Sequence, residues 1–340
     1  PEGTTKRVAN KKLRHIQEQL DRGVYISDKA VPLFGKVALD WLDHKKQMVR
    51  PTTLDMYKGH VRNHLKEFTQ TKINRITTAN VEKFINSRMA EGMNINTLRK
   101  SIITINQIMQ YAVRHRYIDH NPVRDAERPR RTGKIEKPPI TILTPLEINA
   151  LLDAISEQKF RVLVMLAVFS GARQGELLGS KWSDIDWESS QIHIQRTYNH
   201  GRWYAPKTAS SDRRVDIAPH MLKELKLWRI SCPPNEFNLL FPNQVGKPMD
   251  QNHMRNRKFK PAVKRAGLDG LRFHDLRHTY ASMLIEQGEN IKYIQTQLGH
   301  SSPTVTLDVY AHLMKPSNQD AAKRLEAQIL GTGCNLVAQT

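Results

Sequence analysis

Five side chains in this sequence could together bind and attack a phosphate group. They are Arg173, His274, Arg277, His300 and Tyr310. Guanidinium groups bind phosphate oxygens through paired N–H donors and keep their charge near neutral pH. Histidine exchanges protons in the same pH range, and a phenol becomes a nucleophile when its proton is removed. This set of side chains could therefore act on a phosphate without a metal ion.

The first arginine follows a glycine turn. Gly171 predicts the turn, and Arg173 is then expected at the start of a helix, where backbone N–H groups favour an anion. Glu176 lies one turn further on and could orient the guanidinium group. An ordinary ion pair within one helix explains this local pattern equally well. The motif therefore indicates a phosphate site only in combination with the other candidate residues.

The histidines and the second arginine lie near predicted helix ends. His274 and Arg277 are three residues apart and share a helix face, so one phosphate could contact both. Gly299 predicts a helix C-cap that presents His300 at a turn. The spacing of His274 and His278 also fits zinc, but neither the glutamate of a metalloprotease motif nor a third ligand is evident. We therefore predict no metal at this position.

Tyr310 and Lys207 complete the candidate set. A phenol has a pKa of about 10, so Tyr310 would need proton removal or an activated phosphate in order to attack. It could otherwise be a core aromatic residue. Lys207 is predicted at the turn of a β-hairpin, where it is either solvated or a mobile proton donor. Lys181, Arg213 and Arg214 are less favoured candidates for that proton donor.

The charge of the chain indicates a polyanionic partner. Lysine and arginine number 53 against 33 acidic residues, a net charge of +20 spread through every segment. Double-stranded DNA is the partner that this distribution favours. The longest apolar run, 162–169, is too short to span a membrane, so no membrane partner is expected. Cys232 and Cys334 form no disulfide or zinc pattern, which is typical of a cytoplasmic protein.

Helical periodicity predicts a compact first domain over residues 31–125. Four amphipathic helices are expected, from about Leu33 to Lys46, after a cap at Thr52 or Thr53, from Thr78, and from Asn96. Residues 126–141 follow as a proline-containing basic linker. The linker could lie along DNA or act as a plain spacer; its candidate DNA contacts are Arg128, Arg130, Arg131, Lys134 and Lys137.

A second domain is expected over residues 142–316. Thr144 and Glu147 form a capping box around Pro145 and open its first helix. Three segments with β-like alternation follow the candidate arginine motif, at 191–198, 201–205 and 213–218. Helices resume from about His253 and carry the histidine, arginine and tyrosine motifs.

Four segments of this second domain, in order, resemble the signature motifs of the tyrosine recombinase family, and of phage and transposon integrases in particular. They are Ala172-Arg173-Gln174-Gly175-Glu176-Leu177, His274-Asp275-Leu276-Arg277-His278-Thr279, Leu298-Gly299-His300-Ser301 and residues 306–310. The resemblance extends over about residues 30–330. It implies a mainly α fold, with an N-terminal four-helix core-binding domain and a mostly helical α+β catalytic domain that contains a small three-stranded antiparallel sheet.

The resemblance implies a role for each motif residue. Arg173 and Arg277 would bind the scissile phosphate, supported by Glu176, and His300 would donate a hydrogen bond to it. His274 would assist proton transfer with Tyr310, which would form a 3′-phosphotyrosine bond. Lys207 would protonate the departing 5′-hydroxyl. The expected activity is site-specific recombination through a four-way junction, with chemistry like that of type IB topoisomerases and no cofactor.

The same resemblance implies partners and outlying segments. A homotetramer would act on double-stranded DNA attachment sites, with a DNA-bending accessory protein or an excisionase as further partners. Residues 1–30 would be a linker helix after an absent arm-binding domain, and residues 317–340 a tail that docks on the neighbouring subunit. The setting would be the cytoplasm of a bacterial cell, where the enzyme integrates or excises a mobile element.

Two other functions stay open at this point. A non-catalytic DNA-binding regulator could use residues 291–310 as a helix-turn-helix, although the candidate arginines and Tyr310 would then share no task. A topoisomerase would use the same chemistry on one duplex without pairing two. Covalent attachment to DNA would exclude the regulator, and joining of two duplexes would exclude the topoisomerase.

Overall fold

The structure, a computed structural model, describes residues 30–129, 140–206, 208–310 and 319–330, together with Asn10, Leu13, Arg14 and Gln17. The chain divides into two compact units, Pro1–Ile135 and Glu136–Thr340. Within the described ranges, no helix has the length and apolar character needed to span a membrane. Lys207, Arg130, Arg131, Lys134 and Lys137 all lie outside the described residues, whereas Arg128 is described and exposed.

The described part of the first unit is helical. Its α-helices are α1 (Phe34–Lys46), α2 (Pro51–Gly59), α3 (Thr78–Ala90) and α4 (Ile95–Arg114). A π-helical turn, His60–His64, continues α2, and two 3₁₀ turns, Lys66–Phe68 and Ile73–Arg75, connect it to α3. The four predicted helices are therefore confirmed, although the second one changes its hydrogen-bond pattern partway.

The core of this unit follows the predicted apolar stripes, with corrections at helix ends. Trp41, Phe84 and Ile105 are fully or almost fully buried, as expected for the inner faces. Met89, expected inside, is 44% exposed because it lies in the last turn of α3. The cap predicted at Asn96 is instead supplied by Asn94, whose side chain accepts a hydrogen bond from the Asn96 N–H at 2.9 Å.

The start of α2 is also corrected. We expected Thr52 or Thr53 as its N-cap, but the helix begins at Pro51 after Arg50. Proline suits the first helical position because its fixed φ fits the helix and its missing N–H would have had no partner there. The threonines therefore lie inside the first turn rather than before it.

The second unit combines short helices with two small sheets. Its α-helices are α5 (Pro145–Asp153), α6 (Gln158–Ser170), α7 (Gln174–Leu178), α8 (Pro219–Ser231), α9 (Gln251–His253), α10 (Lys260–Arg265), α11 (Asp275–Glu286), α12 (Ile291–Leu298), α13 (Pro303–Tyr310) and α14 (Gln319–Leu330). A π-helical segment, Met254–Phe259, joins α9 to α10. The helix α6 is buried along almost its whole length and forms the centre of the core.

The strands are β1 (Ile185–Asp186), β2 (Gln191–Ile194), β3 (Thr197–Asn199), β4 (Arg202–Tyr204) and β5 (Arg213–Asp216). A three-stranded antiparallel sheet has the order β1-β2-β5, with Ile192 opposite Val215. The segment predicted at 201–205 does not join that sheet, because β4 pairs with β3 in a separate hairpin. The third strand is β1, whose two residues are too few to show an alternating pattern.

Candidate active site

Arg173 lies at the N-cap of α7, directly after the turn at Gly171. Gly171 ends α6 with a φ of +59°, a left-handed conformation that glycine adopts without steric cost. The Arg173 backbone N–H donates to Glu176 Oε2, and its Nη1 donates to Glu176 Oε1, both at 2.8 Å. The expected pairing of these two residues is therefore present, and it orients the guanidinium group of an Arg173 side chain that is 39% exposed.

Glu176 is shared between two arginines. Arg213, at the start of β5, places Nη2 2.9 Å from Glu176 Oε2, and both side chains are buried. Burial alone would raise the pKa of Glu176, but the charge and hydrogen bonds of Arg213, followed by those of Arg173, lower the pKa to about 2. The carboxylate therefore stays ionised, and it compensates two positive charges beside the site.

Arg277 is one of the two most deeply buried candidate residues, together with Tyr310. It lies in the first turn of α11, is 3% exposed, and donates from Nη1 to the Gly171 carbonyl at 2.7 Å and from Nη2 to the Leu298 carbonyl at 2.5 Å. Burial, then the charges of Arg173 and Arg213, lowers the pKa of Arg277 to about 9, so it remains charged near neutral pH. A guanidinium has five N–H donors, which leaves donors for a phosphate.

His274 caps the same helix one turn before Arg277. Partial burial, then the charges of His278, Arg277 and Arg173, lowers the pKa of His274 to about 4. Its ring centroid lies 4.9 Å from that of His278, in an edge-to-face arrangement. His274 is therefore neutral near pH 7, and the charges of the two arginines expected to bind phosphate contribute to that state.

His300 follows the predicted C-cap at Gly299, whose φ is +65°. Its Nδ1 lies 2.9 Å from the hydroxyl of Thr306. Partial burial, then Arg277 and Arg173, lowers the pKa of His300 to about 4. When the threonine hydroxyl donates to Nδ1, the neutral ring carries its hydrogen on Nε2 and can donate it to a phosphate oxygen.

Tyr310 ends α13 and is 2% exposed. Its hydroxyl lies 2.7 Å from Nδ1 of His278, and the two rings are 5.6 Å apart at an interplanar angle of 61°. Burial raises the pKa of Tyr310 to about 12, while the charge of Arg277 opposes that rise. In the described structure the hydroxyl is hydrogen-bonded to His278 and not to His274, which the sequence had favoured as its proton-transfer partner.

Electrostatic interactions connect the two arginines with the two histidines and with Tyr310. Arg277 influences the pKa of His274, His300 and Tyr310, and Arg173 influences the pKa of both histidines. A cavity of about 530 Å³ opens beside Arg173 and His274, and its lining also includes Glu176. Lys207 lies outside the described residues.

Sequence reasoning missed three residues that contact the candidate side chains. The sequence presents Arg213 only as an alternative proton donor, His278 only through its zinc-like spacing, and Thr306 only as part of a motif. One signal was available for Arg213. It shares the inward face of β5 with Val215, two residues further on, so a buried arginine that needs a carboxylate partner could have been expected.

The chain matches known proteins along most of its length. The phage integrase family matches residues 141–316, and the N-terminal SAM-like domain of phage integrases matches residues 33–89. A tyrosine recombinase XerC-like protein of Caldanaerobacter subterraneus subsp. tengcongensis is 29% identical over 95% of this chain and 90% of its own length. A putative prophage phiRv2 integrase of Mycobacterium tuberculosis is 30% identical over 86% of this chain and 77% of its own.

A solved structure shares the fold. The Tn1549 transposon integrase in complex with a circular intermediate DNA superimposes with a TM-score of 0.68 at 19% identity, and covers 87% of this chain and 99% of that one. The chain therefore belongs to the phage integrase family of tyrosine recombinases, whose members are DNA-binding, site-specific recombinases. The family and the mainly helical fold expected from the sequence motifs are both confirmed.

Proposed function

We propose that this protein cuts and rejoins DNA through a 3′-phosphotyrosine bond at Tyr310. The observation that carries the proposal is the position of Arg277. This buried side chain donates to the carbonyls of Gly171 and Leu298, two residues before Arg173 and His300, and its charge also affects the pKa of both histidines and of the phenol. A phosphate seated against Arg277 would lie in the same neighbourhood as Arg173, His274 and His300. Four such donors would stabilise the charge that develops on the phosphoryl group during attack.

The chemistry divides into named steps. Arg173 and Arg277 bind the non-bridging oxygens of the scissile phosphate, and His300 donates a hydrogen bond to one of them. The Tyr310 oxygen attacks phosphorus and loses its proton to a histidine. The family motif implies His274 for this transfer, whereas the hydroxyl is hydrogen-bonded to His278. The bond from phosphorus to the 5′-oxygen breaks, and Lys207 protonates that oxygen. The new bond conserves the phosphodiester energy, so rejoining needs no nucleotide.

The remaining segments would serve the same reaction. The first unit would bind the core DNA site, and residues 126–141, with Arg128, Arg130, Arg131, Lys134 and Lys137, would contact the DNA backbone. The tail, residues 317–340, would dock on a neighbouring subunit of a homotetramer. Strand exchange in pairs through a four-way junction would then integrate or excise a mobile element, with an accessory DNA-bending protein or an excisionase setting the direction.

A nicked suicide substrate tests the covalent step. A duplex that carries the attachment site and a nick near the cleavage position should yield a protein–DNA adduct that protease removes. Tyr310→Phe should abolish the adduct and leave DNA binding intact, because only the attacking oxygen is lost. Specific DNA binding by the wild-type protein with no adduct would contradict the proposal and favour a non-catalytic regulator.

A second assay separates recombination from relaxation of a single duplex. Two duplexes with attachment sites and different labels should give recombinant products and four-way junction intermediates in the presence of the protein. A topoisomerase would form the adduct and relax supercoiled DNA but would not join the two labels. Adduct formation without joined labels, under conditions that support pairing of sites, would therefore contradict the recombinase assignment.

A further inference from the structure

We propose that His278, rather than His274, is the catalytic base that takes the proton from Tyr310. The inference rests on the proposed function, because it assigns a partner to the attacking phenol. Its basis is the hydrogen bond of 2.7 Å between His278 Nδ1 and the Tyr310 hydroxyl. That bond joins α11, which carries Arg277, to α13, which carries the nucleophile, so one helix presents both the phosphate-binding group and the base.

The proton-transfer step balances as follows. His278 starts neutral, with its hydrogen on Nε2 and the lone pair of Nδ1 directed at the phenol. As the Tyr310 oxygen forms its bond to phosphorus, its O–H bond breaks and the proton moves to Nδ1. The 5′-oxygen leaves with a proton supplied from elsewhere in the site. Rejoining reverses the transfer, because the imidazolium then returns its proton to the departing phenolate.

Because Tyr310 is buried, its hydroxyl needs a base within the protein to take its proton. Tyr310 is 2% exposed, so bulk water has little access to its hydroxyl. Burial raises the pKa of Tyr310 to about 12 and lowers the pKa of His278, so the proton rests on the phenol until attack begins. Transfer therefore accompanies formation of the bond to phosphorus, which is how a general base acts on a weakly acidic nucleophile.

The charges around His278 are suited to a transient imidazolium. The side chain of Asp275 acts to raise the pKa of His278, whereas burial, Arg272 and Arg277 act to lower it. Asp275 is 1% exposed and is bound by Arg272, with a closest approach of 2.6 Å. Once His278 gains a proton, this fixed carboxylate offsets part of the new charge, and the two arginines favour return of the proton.

His274 is suited to a different task. Its pKa is lowered by partial burial and then by His278, Arg277 and Arg173, two of which are the arginines assigned to the phosphate. Its ring contacts the His278 ring edge to face, and the His278 ring in turn contacts the phenol. We therefore assign His274 to the phosphate and His278 to the phenol.

Chemical rescue tests this division. His278→Ala should form the adduct on a suicide substrate about 10²- to 10⁴-fold more slowly than wild type, as expected for loss of a general base. Added imidazole should restore adduct formation in His278→Ala in proportion to the concentration of its neutral form. It should leave Tyr310→Phe inactive. A slow His278→Ala variant that binds DNA and unfolds cooperatively, yet gains nothing from imidazole, would overturn the proposal.

His278→Gln supplies a second test that does not depend on a small molecule entering the site. Glutamine can accept a hydrogen bond from the phenol but cannot take its proton. The proposal expects His278→Gln to be as slow as His278→Ala. Adduct formation at the wild-type rate would show that a hydrogen bond alone is sufficient, and would overturn the assignment of a base.

A substrate with sulfur in place of the bridging 5′-oxygen separates the two proton transfers, because a thiolate leaves without being protonated. Lys207→Ala should recover its rate on this substrate, whereas His278→Ala should not. Recovery of His278→Ala would place its role at the leaving group and overturn the inference. Absence of any adduct with the wild-type protein would instead defeat the proposed function itself, so the two failures are distinguishable.

Discussion

Glu176 and Arg213 form a buried ion pair, with Nη2 of the arginine 2.9 Å from Oε2 of the carboxylate. The same carboxylate binds Arg173, and Arg213 also donates from Nε to the Gln297 carbonyl at 2.7 Å. The Glu176 carboxylate thereby connects α7, where Arg173 is the N-cap, to β5, and Arg213 extends the connection to the end of α12. Since His300 follows that end, the pair positions residues on both sides of the site.

Removing one partner of this ion pair should lower the free energy of unfolding. Arg213→Met leaves the Glu176 carboxylate buried with only Arg173 to compensate it, and breaking a buried pair in this way costs about 3–5 kcal/mol. We expect that loss in the free energy of unfolding, measured by denaturant titration. Arg214→Met is the matched control, because Arg214 is 55% exposed and lies 3.4 Å from Asp186. Arg214→Met should change the free energy of unfolding by no more than about 0.5 kcal/mol.

The activity of two Arg213 variants gives a separate test. The Arg213 guanidinium is hydrogen-bonded to Glu176 and to the Gln297 carbonyl, so we expect it to position Glu176 rather than to contact the phosphate. Arg213→Met should therefore slow adduct formation, and Arg213→Lys should recover part of the rate by keeping a charge beside Glu176. Equal unfolding free energies for Arg213→Met and Arg214→Met would contradict the importance assigned to the buried pair.

Gly299 offers a test of how tightly the turn before His300 is held. A Cβ at Gly299 would lie 2.8 Å from the Ser210 carbonyl oxygen and 2.8 Å from Arg213 Cδ. Gly288 has a φ of +83° but nothing within 4 Å of the same position. Gly288→Ala should therefore cost only the left-handed strain, about 1–2 kcal/mol. Gly299→Ala should cost at least about 1 kcal/mol more, because backbone must also move.

The two glycine variants should also differ in chemistry. A shift of the Gly299 turn moves His300, so Gly299→Ala should slow adduct formation, whereas Gly288→Ala should not. The comparison is made at a temperature where both variants are folded. Equal costs and equal rates for the two variants would show that the close approach at Gly299 has no consequence.

Features set by neighbouring residues in the chain were predictable from the sequence. The capping box of Thr144 and Glu147, the turn at Gly171 and the helix C-cap at Gly299 all form as expected. Each depends on side chains and dihedral preferences within a few residues, so the local sequence contains the needed information. The family motifs indicated the site residues for a different reason. They form a combination of residues, distant in the sequence, that local physical chemistry alone would not single out.

Contacts between distant residues were not predictable. Glu176 and Arg213 are 37 residues apart, and His278 and Tyr310 are 32 apart, so each pairing depends on how separate elements pack. Composition and periodicity can indicate that Arg213 faces inward, but they do not identify the carboxylate that receives it. The choice between His274 and His278 likewise depends on the orientation of α13, which no local pattern contains.

DNA binding should weaken steeply with salt. The chain has a net charge of +20, and each phosphate that a lysine or arginine neutralises releases a counterion. For a contact set of 6–10 phosphates, affinity should fall by about 10³- to 10⁵-fold between 50 and 200 mM salt. Fluorescence anisotropy with a labelled attachment site measures this slope. An affinity that changes less than about tenfold over that range would contradict the electrostatic basis for binding.

The tail helix α14 should act between subunits rather than within the reaction centre. Leu325, Ile329 and Leu330 are 57%, 71% and 65% exposed, an apolar face that a second copy of the chain would cover. Leu325→Glu combined with Ile329→Glu should reduce pairing of two duplexes, measured by gel shift, and leave adduct formation on one site nearly unchanged. Gln328→Glu is the control on the same helix. Normal pairing in the double variant, or in a protein that ends at residue 315, would contradict this role.

The site histidines should make stability depend on pH. In the folded protein His274 and His300 have pKa values of about 4, against an ordinary value of 6.5. Between these values the unfolded chain binds protons that the folded protein does not, so the free energy of unfolding falls as pH falls from 6.5 towards 4. Glu176, with a pKa of about 2 against 4.5, adds a loss in the same direction, but only below pH 4.5.

Comparison with a double variant isolates the histidines. His274→Gln combined with His300→Gln removes both titrating groups, while His60 and His278, whose pKa values are also lowered, remain in both proteins and cancel. Denaturant titrations at several pH values between 6.5 and 4.5 should therefore give a shallower decline for the double variant than for the wild-type protein. Parallel curves over that window would mean that these rings bind protons equally well in the folded and unfolded states, contrary to their position beside Arg173 and Arg277.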